Sequence, residues 1–275
     1  MRRDLRRTVA RRAWDLERFG FSPSTIGRRI SNGSTPAVFA VSIPKAGTHL
    51  LERALCLHPR LYRRLMPTVH DGNVSRWHGL GPILARLRPG QVVVSHLGYR
   101  AAYPGLLAAN AVPAVFVTRH PRDVIPSLVS YVRDRSDHHL HAAFASQPDD
   151  RARTRLAIEG DPGLGVPSIG QRFRAFEGWL DAPGCLAVRY EDLIGPRGGG
   201  DAGRQVAALR GIFEHIGLPL APPATHAVAE GLFSSRSPTF RRGTIGDASA
   251  RFDDDLEERF EQAIGDQLGR YGYGA

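Results

Sequence analysis

From Thr35 onward the chain alternates between short unbroken apolar runs and longer stretches with an apolar residue at every third or fourth position. The runs at 38–43, 92–96, 114–118 and 186–190 lack an in-and-out alternation. That is the pattern of strands covered on both faces. The helical period is read over 48–58, 123–133, 204–217 and 253–268. The last begins behind Ser249 with the acidic run Asp253, Asp254, Asp255, which suits the positive end of a helix. Strands alternating with helices predict an α/β fold, a single domain with a mainly parallel central sheet flanked by helices. Two stretches break the alternation. Residues 134–170 are polar with little periodicity and are predicted as a lid or substrate loop. Residues 195–203, GPRGGGDAG, are predicted as a mobile surface loop.

The N-terminus stands apart. Leu5, Val9, Ala13 and Leu16 share one helical face, arginines at 2, 3, 6, 7, 11 and 12 cover much of the rest, and a Gly/Ser/Pro break follows at 20–24. Residues 1–30 therefore read as a basic amphipathic extension ahead of a main domain at 31–275. Charge sharpens this division. Residues 1–64 hold 14 Lys/Arg against 4 Asp/Glu, and residues 65–275 hold 23 of each, so the net +10 belongs to the first quarter. A helix of this kind either contacts an anionic membrane surface, here through residues 1–19, or packs on the domain with its arginines in water. No nucleic-acid motif accompanies the charge, so no nucleic-acid partner is expected.

No run qualifies as membrane-spanning. The longest apolar region, 101–118, is interrupted by Pro104, Asn110 and Pro113. No apolar core follows the arginine-rich start, so no secretory signal is predicted and a cytoplasmic protein is expected, peripheral at the membrane if the basic helix docks there. Cys56 and Cys185 sit in apolar runs without C-x-x-C spacing, which predicts buried free thiols in a reducing compartment.

One residue then changes the picture. Of 37 Lys and Arg, a single one is lysine, Lys45, and it falls in SIPKAGTHLL between the first strand and the first helix. A strand, a glycine-containing turn and a helix N-terminus together surround an anion with backbone N–H groups, and lysine adds a compact mobile charge. The turn is P-loop-like in place but not in order: an ATP-type loop ends Gly-Lys-Ser/Thr, whereas here the lysine precedes Ala46, Gly47 and Thr48.

A second segment, FVTRHPRDVIPSLVSYV at 116–132, carries Arg119 at a strand end, a His-Pro-Arg break, Asp123 in position to cap a helix, and Ser127 on that helix. Together the two segments closely resemble the sulfotransferases that use 3′-phosphoadenosine 5′-phosphosulfate (PAPS). That family pairs a Pro-Lys-x-Gly-Thr turn with an Arg-x-Pro-Arg/Lys-Asp segment followed by a serine at the spacing of Arg119 and Ser127. VVSHL at 93–97, VRYEDL at 188–193 and FRRGTIGD at 240–247 resemble three further family segments. In order and spacing the resemblance runs from about residue 36 to the C-terminus, and it makes residues 31–275 a sulfotransferase-like domain. The match is incomplete. Leu50 stands where a bulky aromatic is common, Val94 where many members have lysine, Arg242 for a lysine and Ala248 for a tryptophan.

The resemblance implies transfer of a sulfuryl group from PAPS to an acceptor hydroxyl, with adenosine 3′,5′-bisphosphate (PAP) as product and no metal required. It implies His96 as the base and Lys45 as the cation at the leaving oxygen. Lys45, Ala46, Gly47, Thr48 and His49 would hold the 5′-phosphosulfate. Arg119, Ser127, Arg241, Arg242 and Gly243 would hold the 3′-phosphate, and Tyr190 would reach the adenine. The acceptor-facing stretches 66–80 and 134–170 are rich in His, Arg and Asp, which suits a glycan, glycolipid or natural product better than a simple phenol. The competing reading is an ATP-dependent small-molecule kinase of the P-loop class. The tract Asp137, His138, His139, Leu140, His141 looks metal-like but lacks a second ligand group, so a solvated acceptor loop is expected there. Trp77 and Trp179 are expected in the core or the acceptor wall.

Overall fold

The strand β1 (Val38–Ser42) is buried at every position, and its neighbours explain why. It pairs in parallel with β4 (Gln91–His96) on one side and β5 (Ala114–Thr118) on the other. The sheet continues through β6 (Cys185–Arg189) beyond β5. Two short strands, β2 (Tyr62–Arg63) and β3 (Val69–His70), share the outer edge of β4, one near its start and one near its end. All pairings are parallel, in the order β2-β4-β1-β5-β6 with β3 also on β4. This computed structural model describes residues 33–233, 252–265 and 267–274. The N-terminal extension at 1–30, and Arg241, Arg242 and Gly243, lie outside the described residues.

Successive β1 side chains serve opposite cores, as the pleat requires. Phe39 and Val41 join Val93, Phe116 and a large cluster beneath α2 (Leu80–Leu84), α3 (Ala102–Ala109), α4 (Pro121–Arg133) and α6 (Asp150–Glu159). Val38 and Ala40 join Val94, Val115 and Val188 beneath α1 (Thr48–Leu57), α9 (Ala202–His215) and α10 (Pro222–Leu232). Both faces being covered is what the unbroken apolar runs demanded. Trp179 belongs to the first core. It is fully buried against Phe39, Tyr99 and Tyr103, with its indole N–H donating to the Leu97 carbonyl at 3.0 Å.

Three expectations are corrected. Residues 134–170 are not a lid without secondary structure. They hold α5 (His141–Ala145) and α6, and α7 (Ile169–Arg174) starts at their end. Asp149 caps α6 through the Ala152 N–H, and Ser168 and Gln171 form a capping box on α7. Residues 195–203 form a compact turn, because the Gly195 carbonyl accepts from Gly198 and Gly200 and the side chain of Asp201 then caps α9. The last helix is interrupted at Gly265, whose φ is 28°, giving α11 (Asp254–Ile264) and α12 (Gln267–Arg270).

Candidate active site

Strand order reverses direction at β1: the chain passes to β4 on one side and then to β5 on the other. In such sheets the crevice beyond the strand C-termini at this point is where ligands sit. The residues picked out in the sequence converge there. The turn after β1 carries Lys45 at φ 73° and Gly47 at φ 110°. These angles need the left-handed region, which glycine enters freely and lysine does not. Gly47 is also required by contact: a Cβ there would lie 2.6 Å from Cδ2 of Tyr190. The Ala46 N–H donates to the Ile43 carbonyl at 3.0 Å and closes the turn. No side chain caps α1 and its first turn has no acidic residue, so its N-terminus presents positive potential to the crevice. His49 leans toward Glu52, at 3.7 Å.

Thr48 connects this turn to β4. Its hydroxyl lies 2.7 Å from Ser42 Oγ, and Ser42 Oγ lies 3.2 Å from His96 Nδ1. His96 Nδ1 is also 2.9 Å from the Ser42 carbonyl, which can only accept. The proton therefore sits on Nδ1, and Nε2 keeps a lone pair. Burial, reinforced by nearby His49, His70 and Lys45, pushes the His96 pKa down to about 4, against the raising effect of the carbonyl bond. The ring is neutral at physiological pH.

Across the crevice Arg119 follows β5. Its guanidinium lies 4.4 Å from the centre of the Tyr190 ring and bonds Asp123 at 3.4 Å. Tyr190, which opens α8 (Tyr190–Leu193) right after β6, thus packs between the Gly47 turn and Arg119. Asp123 does not cap α4. His120 does, with Nδ1 accepting the Arg122 N–H at 3.2 Å, because Asp123 is already turned to Arg119. Ser127 is half-buried one turn further along α4.

Solved structures resemble the fold of this chain over nearly its whole length. Mouse sulfotransferase SULT7A1, complexed with PAP, superposes with a TM-score of 0.62 at 19% identity, covering 94% of this chain and 95% of that one. Retinol dehydratase superposes with a TM-score of 0.57 at 15% identity, both in complex with androsterone and inactive cofactor PAP and in complex with retinol and PAP. Those matches cover 90% of this chain and 85% or 86% of theirs. The chain has the sulfotransferase fold. No family model matches the sequence, and no curated protein matches it.

Within this sulfotransferase fold the crevice gathers Lys45, Ala46, Gly47, Thr48, His49, His96, Arg119 and Tyr190 from the ends of four strands. Three participants were not singled out in the sequence. Ser42 bridges Thr48 and His96, and its signal was a lone hydroxyl inside an apolar run. Tyr131 lies beneath Lys45, whose Nζ is 4.0 Å from the ring centre. Glu191 accepts the His120 N–H and the Tyr273 hydroxyl, each at 2.9 Å, and so ties the Arg119 segment to the C-terminal tail. In the histidine tract, Asp137 pairs with Arg135, His138 Nδ1 accepts the Leu140 N–H, and His141 bonds the Val132 carbonyl. Among the described residues no three His, Cys, Asp or Glu side chains form a metal-binding group, and no helix is long and apolar enough to cross a membrane.

Proposed function

We propose that the protein is a PAPS-dependent sulfotransferase acting on an acceptor hydroxyl. The observation that carries this reading is the meeting of a left-handed turn at an uncapped helix N-terminus and a neutral histidine with a fixed tautomer, joined through Thr48, Ser42 and His96. The residues fit the donor. The α1 N-terminus is uncapped, its turn is forced open by two positive φ angles, and Arg119 is held in place across the crevice by Asp123 and Tyr190. PAP in the similar solved structures supports the same donor.

When bound, PAPS supplies a sulfuryl group already attached to a phosphate leaving group. Lys45, the Thr48 hydroxyl and the N–H groups of Gly47, Thr48 and His49 hold that phosphate and offset the charge that grows on its oxygen. Arg119 and Ser127 hold the 3′-phosphate, joined by Arg241, Arg242 and Gly243. Tyr190 orients the adenine. His96 takes the acceptor's hydroxyl proton at Nε2, and its Nδ1–H stays on the Ser42 carbonyl so that the ring does not turn. Glycans, glycolipids and natural products suit the histidine- and arginine-rich surroundings, while the androsterone and retinol bound in the retinol dehydratase structures mark the other end of the range.

The test is PAP formation from PAPS across a panel of such acceptors. His96→Ala is expected to lower turnover by about 100-fold or more while PAP affinity stays within a few-fold. Undiminished turnover would remove His96 from the reaction.

A further inference from the structure

Lys45 joins two unusual features. It is the one lysine of the chain. It is also held at φ 73°, in the left-handed region that a residue with a side chain occupies only when its surroundings fix it there. From that backbone its ammonium reaches an aromatic face: Nζ lies 4.0 Å from the centre of the Tyr131 ring. At this separation the electron-rich face of a ring attracts a cation.

Tyr131 lies on α4, where Asp123, Ser127 and Tyr131 follow one another at four-residue intervals and so share one helical face. Asp123, at the start of this face, holds Arg119 at 3.4 Å. Tyr131, about two turns further along, holds Lys45. One helix face thus contacts a cation from each of two strand ends, Arg119 after β5 and Lys45 after β1. The ring is itself braced. It packs against the larger core, meets the edge of His138 at 5.6 Å, and has the Arg135 guanidinium 5.3 Å from its centre, with Arg135 tied to Asp137.

Charge explains why a ring suits this place. A carboxylate would attract the ammonium more strongly, but its own charge would oppose a phosphate arriving at the same turn. A ring holds the cation and adds no charge. It also removes rotamer freedom from a long side chain before the phosphate arrives, so less is lost on binding.

We propose that Tyr131 is the positioning residue for Lys45: its ring keeps the ammonium ordered at the turn after β1, and the contact persists once the donor's phosphate is bound. This deepens the sulfotransferase reading, and its consequence for the reaction rests on that reading. The ring face is what matters, so the hydroxyl is dispensable.

The test uses the full chain made with isotopically labelled lysine, which gives the side-chain signals of one residue. In the wild type the Lys45 ε-methylene is expected upfield of an ordinary lysine through the Tyr131 ring current, with and without PAP. Tyr131→Phe should keep that shift and Tyr131→Leu should lose it, with the folding of each checked by melting. PAP affinity is then measured by calorimetry in a double-mutant cycle. Lys45→Met should weaken PAP about tenfold or more, Tyr131→Leu about fivefold, and Tyr131→Phe by less than about twofold. Once Lys45 is Met, adding Tyr131→Leu should change nothing further, a silence that a merely structural role does not produce. An ordinary lysine signal in the PAP-loaded wild type would overturn the inference whether or not the variants fold. Undiminished PAP affinity in Lys45→Met or in Tyr131→Leu would overturn it too, as would a Tyr131→Leu loss that persists in the Lys45→Met background. Wild-type PAP affinity is read first: failure to bind PAP would overturn the donor reading and this inference with it, whereas PAP binding with an ordinary lysine signal overturns the positioning role alone.

Discussion

Lowering the pH tests the His96 arrangement directly. An ordinary histidine takes its proton near 6.5, and this one is held to about 4. The difference corresponds to about 3 kcal/mol, an upper figure because the ring borders the crevice. The folded value lies below the unfolded one, so as pH falls through about 6.5 the unfolded chain binds the proton first. The stability associated with a neutral His96 is therefore complete above about pH 7, declines between about 6.5 and 4, and falls no further below that. The assay is urea unfolding at several pH values, comparing wild type with His96→Asn, whose amide can still donate to the Ser42 carbonyl. The variant should lack that part of the slope. NMR of the ring should show titration near 4 and an Nδ1–H tautomer. Bound PAP, being anionic, should raise the value toward the range where a base works best. Titration at 6 or above in the unliganded protein, or an Nε2–H tautomer, would refute the reasoning.

Three substitutions probe the surroundings. Gly47→Ala places a Cβ 2.6 Å from the Tyr190 ring at a φ of 110°; a loss of about 2 kcal/mol or more and a clearly weaker PAP affinity are expected, and unchanged melting would contradict the close contact. Ser42→Ala removes the hydroxyl bridge but not the carbonyl, so about 1 kcal/mol is lost while His96 keeps its Nδ1–H tautomer; a switch seen by NMR would show that the hydroxyl fixes the ring. Glu191→Ala leaves the His120 N–H and the Tyr273 hydroxyl without their acceptor, and should cost about 2–3 kcal/mol in urea unfolding and weaken PAP binding through a looser Arg119; wild-type values for both would contradict the tie.

What could be read in advance was whatever local chemistry carries. The strand at 114–118 coincides with β5, and 38–43, 92–96 and 186–190 each fall within a residue of β1, β4 and β6. These runs are apolar apart from Ser42, Ser95, His96, Thr118 and Arg189 near their ends, and they lack an in-and-out alternation, so the pattern alone locates them. The strands β2 and β3 have two residues each and no period; they exist only because β4 offers an edge. The helix α6 was hidden by Arg151, Arg153 and Arg155, which read as a polar loop until their partners Asp253, Asp150 and Glu159 are seen. The site divides the same way. Lys45, Gly47 and Arg119 belong to contiguous motifs, and the left-handed turn requires its glycine locally. Ser42 matters only because β4 brings His96 beside it, 54 residues away, and Glu191 because the tail returns Tyr273 from 82 residues away.

Calorimetry of PAP against ATP, in EDTA, tests the central claim most directly. The account predicts metal-free PAP binding that ATP fails to match by about tenfold or more, and its loss in Arg119→Ala, because the proposed reading assigns Arg119 to the 3′-phosphate that ATP lacks. Equal binding of ATP, or binding that appears only with Mg²⁺, would contradict the account and favour a P-loop kinase.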